Sequence, residues 1–154
     1  MKYPPSRYRL IHENLSISAP LKDAGIKFLH DSGCRKILTL PGGFVSSDVV
    51  VALKKRKMEV EHFPVEIHLP ETLYSEQFER VLNKIVQVLK RGSRLHVVCG
   101  PEMIEAACIT GLLRQVYQEW NSSSAISEAL DICRFADAES VVDIVTNCVN
   151  NFRD

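Results

Sequence analysis

No run of apolar residues in this chain approaches the ~18 uninterrupted positions that a membrane-spanning helix needs. The start, MKYPPSRYRL, also lacks the apolar core of a leader peptide. The expectation is a soluble protein that is not secreted. Metal-ligand spacing is missing too: the cysteines Cys34, Cys99, Cys108, Cys133 and Cys148 include no C-x-x-C pair, and the five histidines show no paired spacing. These absences argue against a zinc site and a disulfide framework, and they point to free thiols in a reducing compartment, the cytoplasm. Charge of one sign is not in excess, since 19 basic residues balance 19 acidic ones. Such a balance makes no electrostatic case for a nucleic acid or an anionic membrane as partner. The only basic run, Lys54-Lys55-Arg56-Lys57, falls where a helix should end, and cations there complement the helix macrodipole. No repeat, low-complexity tract or linker divides the 154 residues, so 1–154 is expected to be one domain.

What is present is an alternation of strand and helix patterns. An extended start through Tyr3-Pro4-Pro5 leads to a short helix over Leu21 to His30, with Gly33 as its stop. KILTL (Lys36 to Leu40) reads as a buried strand ending at Pro41-Gly42-Gly43. A helix capped by Ser46 or Ser47 follows, carrying Val49, Val50, Ala52 and Leu53. MEVEHFPVEI alternates like a strand until Pro64 interrupts it. In Ser75 to Arg91, Phe78, Val81, Leu82, Ile85 and Leu89 form one stripe on one helical face, and Gly92 ends it. RLHVV is the next strand, followed by helices over Ile104 to Trp120, Ser124 to Phe135 and Asp137 to Phe152. The order predicts an α/β domain with a mostly parallel sheet and a helical C-terminal third. Ligands of such sheets bind beyond the carboxyl ends of the strands, and Cys99 stands at one.

A cysteine at a strand-to-helix turn is where a cysteine phosphatase keeps its nucleophile, in a loop C-x5-R. Backbone N–H groups and the helix N-terminus face the phosphate, the arginine forks onto its oxygens, and the positive field keeps the cysteine a thiolate. Here the loop is Cys99-Gly100-Pro101-Glu102-Met103-Ile104-Glu105. Glu105 stands at the arginine position, Glu102 adds a second acid, and Pro101 lacks an N–H. Like charges about 4 Å apart cost ~4 kcal/mol at an effective dielectric near 20, so a phosphate would meet repulsion. Two nearby carboxylates should keep Cys99 protonated, and the residue reads better as a small buried apolar group than as a nucleophile. Glu105 is expected to accept first-turn N–H groups of the helix that follows.

Four blocks in order and spacing carry a resemblance: YPPSRY (Tyr3 to Tyr8), FLHDSGCRKILTL (Phe28 to Leu40), CITGLLRQVYQEW (Cys108 to Trp120) and ISEALDICRFA (Ile126 to Ala136). They resemble the VPP-x-NF, FL-x-x-L-x-LK-x-I-x-x-L, GCLVGCLRKLQGW and I-x-x-EYRRFA segments of the plant and fungal atypical dual-specificity phosphatases. That family includes inositol pyrophosphate phosphatases. Its catalytic pattern, H-C-N-x-G-K-x-R-T-G-C, is kept only at Cys99 and Cys108. Val98, Gly100, Glu102, Met103, Glu105, Ala106 and Ala107 replace the other named positions. His96 sits two residues too early to serve as the histidine, and LSISAP (Leu15 to Pro20) resembles the family's YRS-x-x-P without its arginine. Glu66 is the available acid in the loop after Val65.

The resemblance implies a three-layer cysteine-phosphatase-like fold, a central sheet of four or five strands with helices on both faces. It also implies a degenerate member of the family, a pseudophosphatase with no catalytic residues, no cofactor and no metal. Its role would be that of an interaction or regulatory subunit, with protein partners that include active phosphatase paralogues in a hetero-oligomer. Two other readings stand beside it. VVCGPEMIEAA (Val97 to Ala107) also resembles the CGP-x-x-M turn of NADP-dependent reductase modules, although LPGGFVS does not match their glycine-rich turn. The other is an active cysteine-dependent enzyme, a phosphatase with an atypical loop or a redox-sensing thiol at Cys99.

Overall fold

Val97 and Val98, neighbours in sequence, are both fully buried yet belong to two separate apolar clusters. Residues on a strand alternate between faces, so this strand is covered on both. The computed structural model describes residues 3–43, 46–65, 71–133 and 138–153. Its elements begin with β1 (Arg9–His12), β2 (Leu15–Ser18), α1 (Asp23–Asp31), β3 (Lys36–Thr39), α2 (Ser47–Lys55) and β4 (Glu59–His62). They continue with α3 (Glu71–Lys90), β5 (Leu95–Val98), α4 (Ile104–Val116), α5 (Ser122–Ile132) and α6 (Ala138–Arg153). One sheet holds the strands in the order β1-β2-β5-β3-β4. β1 is antiparallel to β2, and the remaining pairs are parallel.

On one face Ile26 and Leu29 of α1 and Leu53 of α2 pack with Met58, Ile37 and Val98. On the other, α3 to α6 bury Phe78, Val81, Leu82, Ile85, Leu112, Val141 and Val145 over Leu38 and Val97. The stripe read in α3 is buried as expected, with Val88 replacing Leu89 at its end. α3 starts at Glu71, four residues before the expected Ser75. α4 is buried continuously from Ala106 to Leu113 because α5 and α6 cover the side that the sheet does not.

The hairpin β1–β2 has no counterpart among the strands read from sequence. Its strands are four residues each, and Ser16 and Ser18, which would suit solvent, are buried. They pair with His96, which the sheet register places beside Ser16. α4 also ends short of Trp120. The chain turns at Glu119 (φ 57°), and the Trp120 ring lies 4.4 Å from the Arg114 guanidinium carbon. Asn121, whose Oδ1 accepts from the Ser124 N–H at 2.8 Å, then caps α5 two residues earlier than expected.

Candidate functional site

β5 is the central strand, and all four of its residues are buried. At its end the Val98 carbonyl accepts from the Leu40 N–H at 2.8 Å, and the Cys99 N–H donates to the Ser18 carbonyl at 2.9 Å. The loop 99–103 is thus fixed between the exits of β2 and β3. Gly42 and Gly100 pack backbone to backbone: a Cβ on Gly42 would lie 2.9 Å from the Gly100 Cα, and one on Gly43 would lie 2.5 Å from the Val98 oxygen. The Pro41-Gly42-Gly43 turn lies on the cysteine loop because Gly42 and Gly100, where the two meet, carry no side chain.

Of the residues singled out in the sequence, Cys99, Gly100 and Met103 are buried, Ile104 and Glu105 half-buried, and Pro101 and Glu102 exposed. Cys99 has no exposed surface. Its Sγ donates to Glu105 Oε2 at 3.4 Å. Burial first, then the Glu105 charge, pushes the Cys99 thiol up to about 12, against backbone N–H groups of Ala106 and Gly100 that pull the other way. A second carboxylate does not act on it: Glu102 points to solvent, so the expectation of two acids at the thiol is corrected to one. The capping role expected of Glu105 is corrected as well, because its carboxylate takes the Cys99 thiol instead.

The N-cap of α4 is Met103, left-handed at φ 60° and without a side-chain capping bond. A left-handed non-glycine residue costs ~1–2 kcal/mol. Burying the Met103 side chain to 1% exposure gains ~1.5–3 kcal/mol, which is enough to hold the conformation. The loop is therefore anchored by an apolar plug at the position where the resembled pattern carries lysine.

Sequence reasoning missed Arg7. Its guanidinium donates to the Pro101 carbonyl at 2.8 Å and to the Ile132 carbonyl at 2.5 Å, tying the cysteine loop to the last turn of α5. Arg7 is itself left-handed at φ 56°. The signal was in the opening block, where the resembled motif has asparagine, a residue that tolerates this conformation. With Tyr8, Arg9, Ile17, Met103, Asp131 and Ile132, Arg7 lines a cleft of about 420 Å³. Arg9 is held there by Asp131 at 2.7 Å. His96 is on the other face of β5, away from the thiol, accepting at Nδ1 from Ser16 Oγ (2.7 Å). The Ser18 hydroxyl donates to the Ala19 carbonyl, so His96 Nε2 donates to Ser18 Oγ at 2.7 Å. Burial lowers the His96 pKa to about 3. Glu66 lies outside the described residues. Among the described residues no group of histidines, cysteines and carboxylates could hold a metal ion. No helix among them is long and apolar enough to cross a membrane. None of the five cysteines is in a disulfide, and all are buried.

No protein-family pattern matches the chain, and no curated protein does. Solved structures do match. The core catalytic domain of the PP-IP phosphatase SIW14 from S. cerevisiae, in complex with citrate, aligns with a TM-score of 0.74. The match covers 99% of this chain and 96% of that one at 16% identity. A mutant form of Tk-PTP gives 0.75 at 13% identity, over 95% and 96% of the two chains. This chain has the cysteine-phosphatase fold. A third phosphatase-fold structure, P. aeruginosa TpbA in complex with pTyr, aligns at 0.64 with 16% identity over 92% and 91%. In the phosphatase fold of this chain, Cys99 to Met103 form the loop joining the central strand to the helix behind it, and Glu105 lies in the first turn of that helix.

Proposed function

We propose that this protein is a catalytically inactive phosphatase-fold subunit, one domain over 1–154, related to the inositol pyrophosphate phosphatase branch and acting in the cytoplasm. It binds other proteins, catalytically competent relatives of the same fold foremost, in a hetero-oligomer. The observation that carries the reading is the Cys99–Glu105 pair. A nucleophile must be a thiolate facing substrate, and this thiol is enclosed, protonated and bonded to a carboxylate at the position that would otherwise hold an anion. Gly42 against Gly100 and Arg7 on Pro101 support it further, because they fix the loop in the conformation that encloses the thiol.

A scaffold without this chemistry retains its surfaces. A stable contact to a related domain should bury ~1,200 Å² or more around an apolar centre poor in Lys and Glu. The test has two arms. Purified protein should hydrolyse neither an aryl phosphate nor inositol polyphosphates; turnover that disappears in Cys99→Ser would assign it instead as an enzyme with an atypical loop. Size-exclusion of native extract should place the protein in a complex with a phosphatase. Recovery only as a free monomer of 17.4 kDa would refute the subunit role.

A further inference from the structure

The 19 cations and 19 acids balance over the whole chain, but the fold does not distribute them evenly. The parallel strands β3, β4 and β5 start at one end of the sheet, and α1, α2 and α3 finish there. Arg35 and Lys36 lie where α1 hands over to β3. Lys54 to Lys57 span the end of α2 and the turn into β4. Lys90, Arg91 and Arg94 occupy the end of α3 and the turn into β5. The register confirms that these turns adjoin: Lys36 pairs with Glu59 on one side and Leu95 on the other, and the Glu59 N–H donates to the Arg35 carbonyl. Seven of the nine cations are exposed, and Lys36 and Arg56 are half-buried.

Helix C-termini attract cations, but not in this number. Three of them supply roughly one and a half negative charges. The carboxylates in the same turns and strand starts are Asp31, which pairs with Lys27, and Glu59; Glu13 and Glu119 lie further out, on the β1–β2 turn and beyond α4. No ion pair among the described residues involves any of the nine. Arg35 and Arg94 spend N–H groups on backbone carbonyls of the α1 end, which fixes their stems and leaves their charge uncompensated. Nine cations crowded in excess of these counter-charges repel one another, so a surface of this kind is a surface for an anion.

We infer that this end of the molecule docks on an anionic lipid bilayer. Three features favour a bilayer over a nucleic acid or an acidic protein. The cations are spread over three turns and do not converge on a pocket, which suits a plane of headgroups. Val51, 52% exposed, is one turn before Lys54 and Lys55 on the same face of α2, so apolar surface accompanies the charge. The nine-cation segments contain no aromatic side chain on which bases would stack. Docked this way, the cysteine loop, at the opposite ends of the strands, faces away from the membrane.

Vesicle co-sedimentation tests the assignment with phosphatidylcholine vesicles and with vesicles containing 30% phosphatidylserine. At 0.1 M salt the protein should sediment with the anionic vesicles at least tenfold more tightly than with the neutral ones, and 0.5 M salt should release it. Lys54→Glu with Lys55→Glu should abolish the difference, while Lys22→Glu, at the other end of the sheet, should leave it. Melting curves check that each variant is folded; the wild-type comparison decides by itself if the double variant is not. Equal binding to both vesicles, or none to either, overturns the proposal. So does stronger retention by a DNA or RNA duplex than by anionic vesicles at the same salt, which would assign the face to nucleic acid.

Discussion

Between Cys99 and Glu105 the sulfur keeps the proton, because the thiolate would lose both its hydration and its distance from a negative charge. The linkage has a definite sign. An unfolded thiol ionises near its ordinary value of 9.0 and the folded one near 12, so Cys99 contributes stability below pH 9 that drains away as pH rises from about 9 to 12. Cys34, Cys108 and Cys133 are raised by burial too and add to the same alkaline limb. Glu105→Gln keeps an acceptor and removes the charge. Thiolate absorbance near 240 nm should then rise at lower pH than in the wild type, yet still above pH 9, since burial is the larger cause. An unchanged titration would mean that Glu105 does not govern the thiol.

At the scale of elements, two devices hold the ends of the central strands. The first is the relay from the Ser16 hydroxyl through the His96 ring to Ser18 and the Ala19 carbonyl, which joins β2 to β5 on the α1 and α2 face. His96 is neutral when folded and titrates near 3, against 6.5 when free. Its stabilisation is complete above pH 6.5 and is lost as pH falls from 6.5 toward 3. His96→Leu leaves two buried hydroxyls short of a partner and should cost about 2–4 kcal/mol at pH 7. Urea midpoints at pH 7 and pH 5 should lie closer together in the variant than in the wild type; an equal spacing would remove the histidine from the acid limb. The second device is the contact of the glycine turn with the cysteine loop. A Gly43→Ala methyl would sit 2.5 Å from a backbone oxygen that cannot move aside without breaking the bond to Leu40, so the variant should lose ~2 kcal/mol or more. A melting temperature unchanged by that methyl would show the turn to be loosely seated.

For the whole molecule, Arg7 is the residue that joins parts far apart in sequence: the start of the chain, the cysteine loop and the end of α5. Arg7→Ala removes two charge-assisted bonds and should cost about 1.5–3 kcal/mol, read as a lower denaturant midpoint with an unchanged slope. A loss within 0.3 kcal/mol would mean that water replaces the guanidinium. Local pattern was enough to place β3, β4, β5 and the helices to within a few residues, because an apolar run, an alternation at 2, a stripe at 3.6 and the caps and glycines that bound them are properties of adjacent residues. It also gave the chemical content of the loop, since Glu105 and Pro101 are what they are whatever surrounds them. The tertiary structure decided what locality cannot: that the serines of β2 are interior because His96 arrives from 80 residues away, that Glu102 leaves the thiol while Glu105 meets it, and that Arg7 reaches Pro101. It also decided that a chain of zero net charge gathers its cations at one end. Net charge is a sum and carries no positions, and only the order β5-β3-β4 brings three separate turns to a single surface.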